Sequence, residues 1–303
     1  MRLEYLSIAF TALVGCYLLV VGVDFALDDA WIHLAYAKSL KLGEGLSYNP
    51  YDYETGASSP LWVLILAIVP WFDHPMWVSK SLGVLSHLGA LYFLLRLLRE
   101  WFPKLSSMLL CLLGLCAGLA PLLLQGAVSG MAVSLAALLW MGALWSLHKK
   151  HRMALLLVFL SVAARAELVV FWGLWGCLHA LYERRMTRLA TAMSAALSLG
   201  LWMLYCQLVS GFWFPNTKYV KGLGQTWDSL YYLPQRYLWE EPILWSGLGL
   251  GVIIYGLLKN KAPHLWILAA SWLGGMVATA LTRSLDPSVL FFQSRYFAPN
   301  RRL

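Results

Sequence analysis

Nineteen residues near the start of the chain, YLSIAFTALVGCYLLVVGV at 5–23, carry no charge. Runs of this kind recur along all 303 residues, and several approach 20 residues. A soluble core cannot cover that much apolar surface when 60% of the chain is hydrophobic and only 13% charged. Apolar runs of this length predict membrane-spanning helices. Backbone polar groups in lipid must find partners within their own segment, so helices are expected. The alternating pattern of a lipid-facing barrel is absent.

The runs divide the chain as follows. The first helix occupies 5–23, and an outer loop with one amphipathic helix at 29–41 follows. Residues 60–71 (PLWVLILAIVPW) are too short for a crossing and are expected to dip into the membrane. Further crossings are expected at 76–98, 106–126, 131–147, 153–164, 168–181, 189–210, 243–258 and 263–282. The sum is about nine full crossings and one short segment in a single all-α domain spanning 1–303.

Charge sets the expected orientation. With Met1 inside, the clusters RLLRE, HKKHR, YERRMTR and KNK all fall on the inner side, as basic loops do. Of the 15 acidic residues only Glu4, Glu100 and Glu183 then lie inside, which leaves 12 outside. The first helix has one basic residue before it and no small-residue cleavage site after it, so it is expected to remain as an anchor. The net charge of +8 recurs at helix ends and forms no single patch. It reports orientation in the membrane and not a nucleic-acid partner. Five cysteines (Cys16, Cys111, Cys116, Cys177, Cys206) lie in apolar runs without a CxxC pair and read as small packing residues.

The irregular segments gather on the expected outer side: 24–59, the SGMA turn at 129–132, the ARAE turn at 164–167, the loop 211–241 and the tail. One elaborated face implies work done on that face. Asp28 and Asp29 stand where the first helix leaves the lipid. Adjacent carboxylates can divide the roles of base and orienting group, and they permit a divalent cation without demanding one. They can equally cap the helix that follows. His33 is one turn beyond Asp29 on the same helical face and could couple to it. Arg165 and Glu167 sit between two apolar runs, so they must pair or face a polar cavity. A guanidinium also matches phosphate oxygens at two points. Lys218 and Lys221 lie three residues apart after Pro215, and Arg295 is a late cation of the same kind. Together they suit a lipid phosphate, or they anchor the chain at the interface. Trp213, Trp227, Tyr231, Tyr232, Tyr237 and Trp239 suit an interfacial belt, and some could stack on a sugar. No zinc spacing, Walker loop, GxSxG or dinucleotide fingerprint is present. An enzyme on the outer face has no nucleotide pool, so its activated donor is expected to be membrane-borne.

The text DDAWIHLAYAKSLKLGEGLSYNP, then ETGASSPLW, resembles the first outer loop of the GT-C superfamily, the polyprenyl-phosphate-sugar-dependent membrane glycosyltransferases. The nearest branch is the bacterial arabinofuranosyltransferase-like group. SGM at 129–131, RAE at 165–167, FPNTKYVK at 214–221 and RYFAP at 295–299 follow in that family's order. The resemblance implies a GT-C-like bundle in the bacterial inner membrane, with a cytoplasmic N-terminus and an active site on the outer face. It implies an inverting transfer of sugar from a polyprenyl-phosphate donor to a glycan or lipid acceptor. In that scheme Asp28 is the general base and Asp29 orients the acceptor. Arg165, Lys218, Lys221 and Arg295 hold the donor phosphate. His33, Glu54, Glu167, Asn216 and Tyr296 line the substrate site, and no metal ligand is assigned. Two departures stand out: Ala132 replaces a frequent Glu, and Ala166 a frequent Pro. Relatives also tend to continue beyond RYFAP. Two further readings therefore stay open: a non-catalytic or truncated partner of a longer GT-C enzyme, or a lipid-linked sugar transporter.

Overall fold

The computed structural model describes residues 3–22, 28–49, 55–70, 74–184, 186–216 and 263–282. Every regular element among the described residues is helical. A single 3-10 turn, Leu3–Tyr5, leads into α1 (Leu6–Val21). α2 (Asp28–Lys41) and α3 (Pro60–Ile68) follow, then the long α4 (Pro75–Trp101). α5 (Ser107–Gly118), α6 (Pro121–Val128) and α7 (Val133–His148) form the middle of the chain. α8 (Ala154–Ala164), α9 (Leu168–Glu183), α10 (Leu189–Ser210) and α11 (Pro263–Thr282) complete it.

Three of these helices are long and apolar enough to cross a membrane: Leu3–Val21, Pro75–Trp101 and Met186–Ser210. Several shorter apolar helices accompany them. The direction in which they present their side chains fits lipid. On α10, Met193, Leu197, Leu201, Leu204 and Leu208 are exposed and recur every three or four residues. On α1, Leu6, Phe10, Leu13 and Tyr17 do the same, while Ser7, Thr11 and Gly15 face inward. A helix with apolar residues outside and small polar ones inside is the reverse of a soluble amphipathic helix.

Proline sets several boundaries. Pro60, Pro75 and Pro121 each stand at the start of a helix, where a missing N–H costs nothing. The run 106–126 is consequently not one helix. It breaks at Leu119–Ala120, because Pro121 cannot continue the hydrogen-bond ladder of α5. Ser106 caps α5 by accepting a bond from Leu109 N at 3.2 Å. α3 has nine residues and stops before Pro70, in keeping with a segment too short to cross. The expected crossing at 243–258 lies outside the described residues.

Two aromatic-rich cores hold the bundle. In one, Tyr36 of α2 and Trp62 and Leu66 of α3 pack on Leu135 and Ala136 of α7 and on Ala164. In the other, Phe171, Trp172 and Trp175 of α9 meet Val158 of α8, Ala195 of α10 and Ile267 of α11. The buried Trp172 indole donates to Ser161 Oγ at 2.8 Å. All five cysteines are free thiols; Cys206 is buried, while Cys16 and Cys177 are exposed.

Three of the four expected inner clusters share one end of the bundle, and KNK lies outside the described residues. Arg99 of RLLRE pairs with Glu4, and Glu100 meets Lys149 at 2.9 Å and His148 at 3.1 Å in HKKHR. In YERRMTR, Arg188 meets Glu183 at 2.8 Å.

Candidate functional site

At the other ends of α7, α9 and α10, segments far apart in sequence converge. The first loop returns to the bundle through Thr55–Ser59, and four contacts fasten it there. Thr55 Oγ1 lies 2.9 Å from Ser210 Oγ at the end of α10. Asn216 N donates to Thr55 O at 3.1 Å. Trp62 Nε1 donates to Gly130 O in the SGMA turn at 3.0 Å. Gly56 N donates to Tyr36 Oη at 2.8 Å. This last contact explains a glycine at 56, where a Cβ would stand 2.6 Å from the Tyr36 hydroxyl.

Asp28 and Asp29 are the first two residues of α2. Carboxylates in a first helical turn are favoured by the helix dipole, so the pair is compatible with this position electrostatically. His33 is almost fully buried, and its Nδ1 lies 2.7 Å from the backbone carbonyl of Asp29. With Nδ1 carrying the proton, the ring donates there. The ring thus reaches the backbone of the acidic turn.

Arg165 and Glu167 form the ion pair that their position between two apolar runs demands, with Nη1 and Oε1 3.8 Å apart. Both keep part of their side chains exposed, at 24% and 34%. At that separation the two atoms make a loose ion pair, beyond hydrogen-bond distance. Asn216 is anchored by its backbone, while its side-chain Oδ1 is buried without a hydrogen-bond partner among the described residues. Glu54, Lys218, Lys221, Arg295 and Tyr296 lie outside the described residues, as does the side chain of Asp28. Among the described residues no three His, Cys, Asp or Glu side chains gather as a metal-binding group.

Lys80 is a further candidate, which sequence reasoning passed over. It is 2% exposed on α4, and its Nζ donates to Gly22 O at 2.7 Å. The ammonium thereby meets the negative end of the α1 dipole beside the start of the acidic loop. The signal was available as a lysine well inside the apolar run 76–98, far from the basic cluster that ends it, where burial demands a partner.

Ala132 is 1% exposed and belongs to the core built on Trp62 and Tyr36. The SGMA turn is closed by its own bonds: Ser129 Oγ donates to Gly126 O at 2.9 Å and accepts from Met131 N at 3.2 Å.

Compared with protein-family models, with curated proteins and with solved structures, the chain matches none.

Proposed function

We propose that this chain is an inverting glycosyltransferase that moves a sugar from a polyprenyl-phosphate donor to an acceptor hydroxyl on the outer face of the bacterial inner membrane. The observation that carries the reading is convergence. The first loop, the SGMA turn and the start of FPN meet at one end of the bundle through Trp62, Thr55 and Asn216, although these residues are far apart in sequence. A site assembled from several loops on one end of a helical scaffold is the arrangement such chemistry uses.

In this reading the chain crosses the membrane nine times, with its N-terminus cytoplasmic. Asp28 takes the proton from the acceptor hydroxyl as its oxygen attacks the anomeric carbon. The bond from that carbon to the phosphate oxygen breaks, and polyprenyl phosphate leaves. One displacement inverts the anomeric centre, by analogy with single-displacement glycoside chemistry. Asp29 orients the acceptor, and a divalent cation is optional. Arg165, Lys218, Lys221 and Arg295 receive the charge on the leaving phosphate, where pre-placed cations are most effective.

The test is transfer by the purified chain in liposomes, with a panel of radiolabelled polyprenyl-phosphate sugars and an envelope acceptor extract. Transfer from one donor, reduced roughly 100-fold or more in Asp28→Ala, is the expected result for loss of a general base. Undiminished transfer by a folded Asp28→Ala variant overturns the role of that residue.

One observation favours a second reading, a non-catalytic partner of a longer GT-C enzyme. Ala132 stands where the resemblance expects a carboxylate, and it is packed into the core. Co-purification with a second membrane transferase, and no transfer alone, supports that alternative.

A further inference from the structure

At the end of the bundle that carries the basic clusters, a cavity of about 170 Å³ opens between α4, α7, α9 and the start of α10. Four of its ten lining residues are apolar or aromatic: Trp101, Leu144, Leu147 and Trp175. Five are charged or titratable, Lys150, Arg188, Glu183, His148 and His179, and the tenth is Thr191. Two fixed cations therefore stand against one carboxylate, and that carboxylate is occupied. Its Oε2 accepts from Arg188 Nε at 2.8 Å, and its Oε1 lies 3.2 Å from His179 Nδ1. His148 is likewise tied, to Glu100 at 3.1 Å. Lys150 has no ion-pair partner among the described residues, and its side chain is exposed.

Lys150 (φ 55°) and Arg184 (φ 51°) are the two non-glycine residues with left-handed backbone among those described, and each closes the end of a helix, α7 or α9, at this end of the bundle. On the last turn of α9 and the turn after it, Leu181, Tyr182 and Met186 are each more than 60% exposed. Apolar surface thus adjoins a cationic cavity with aromatic walls.

We propose that this cavity binds the phosphate headgroup of an anionic phospholipid from the leaflet faced by the basic clusters. The occupant is an amphiphile with a phosphate diester and no compensating amine. Lys150 and Arg188 meet the phosphate oxygens. Trp101, Trp175, Leu144 and Leu147 receive the glycerol end, and the exposed residues of α9 lie along the acyl chains. Basic pockets between helices on the cytoplasmic side suit phosphate headgroups in this way. The site is independent of the proposed sugar transfer, which belongs to the opposite ends of α7, α9 and α10.

Native mass spectrometry of the purified chain, titrated with phosphatidylglycerol or phosphatidylcholine, tests the proposal. Wild type is expected to hold one phosphatidylglycerol in preference to phosphatidylcholine. Lys150→Gln weakens it roughly 5-fold and Lys150→Gln with Arg188→Gln roughly 30-fold, from the usual contribution of a basic residue to anionic lipid. The exposed Lys150 side chain makes the single variant safe for folding. Glu183→Gln tightens phosphatidylglycerol, because it removes a negative charge from the wall and releases Arg188. Arg152→Gln removes the same charge from the same end but outside the cavity, and leaves binding within twofold. Arg152→Gln matching Lys150→Gln would reduce the effect to diffuse surface charge and overturn the site. Weaker binding in Glu183→Gln overturns the anionic occupant. Full displacement of the lipid by excess inorganic phosphate overturns the lipid as its source.

Discussion

Replacing Gly83 with Ala sets two effects of known size against each other. Gly83 lies in the middle of α4, and there a Cβ gains about 0.5–1 kcal/mol by restricting the unfolded chain. The structure opposes that gain. A methyl at 83 would stand far inside van der Waals contact with the carbonyl oxygen of Ala127 and 3.2 Å from its carbonyl carbon. Both atoms are backbone of α6, so no side chain can rotate away. The two helices must separate, and overpacking of this kind costs about 1–3 kcal/mol or more. The net expectation is a loss of about 1–2 kcal/mol. Gly200 on α10 is the control, since a Cβ there meets nothing within 4 Å among the described residues. Gly200→Ala is expected to be neutral or slightly stabilising. The assay is unfolding by SDS in mixed micelles, read as exposure of the buried Cys206 thiol with the other four cysteines replaced by Ser. A Gly83→Ala variant as stable as Gly200→Ala would refute the close approach of α4 and α6.

Trp62→Phe leaves Gly130 O without its donor in a buried site and is expected to cost about 1–3 kcal/mol in the same assay. It should also loosen the SGMA turn, detected as faster proteolysis between α6 and α7. Ser161→Ala strands the Trp172 indole N–H and is expected to cost a similar ~1–3 kcal/mol, with no effect on the first loop. Lys80→Met removes the donor to Gly22 O. Any sugar transfer by the chain is expected to fall while helix content by circular dichroism is unchanged, and unchanged transfer would remove Lys80 from the site.

The ends of the long helices were legible in the chain. The apolar run 189–210 coincides with α10, and 5–23 becomes α1 with a 3-10 turn before it. In both, lipid accepts the entire outer face, so hydropathy alone marks the boundary. The break at Pro121 was written locally too, in a residue that cannot donate to the previous turn, yet the run around it stays apolar and reads as continuous. The candidate site was legible only as an order of motifs. That Asn216 bonds Thr55, or that Lys80 reaches Gly22, depends on how distant helices pack, and no local period carries that information. His33 shows the limit at short range: its spacing from Asp29 was visible, but not that the bond goes to the backbone.

α8 has 11 residues, so at about 1.5 Å per residue it is roughly 16 Å long. The hydrocarbon of a typical bilayer is about 30 Å thick. α8 starts beside the basic clusters and ends at the turn holding Arg165 and Glu167. In the proposed orientation, with the basic clusters at the inner surface, that turn reaches only about halfway through an undeformed bilayer. Irregular backbone and charge at such depth require protein or water around them. In that orientation the lipid beside α8 thins, or protein and water surround the ion pair. Either way, bilayer thickness becomes a variable for this protein, and thinner membranes hold it with less strain.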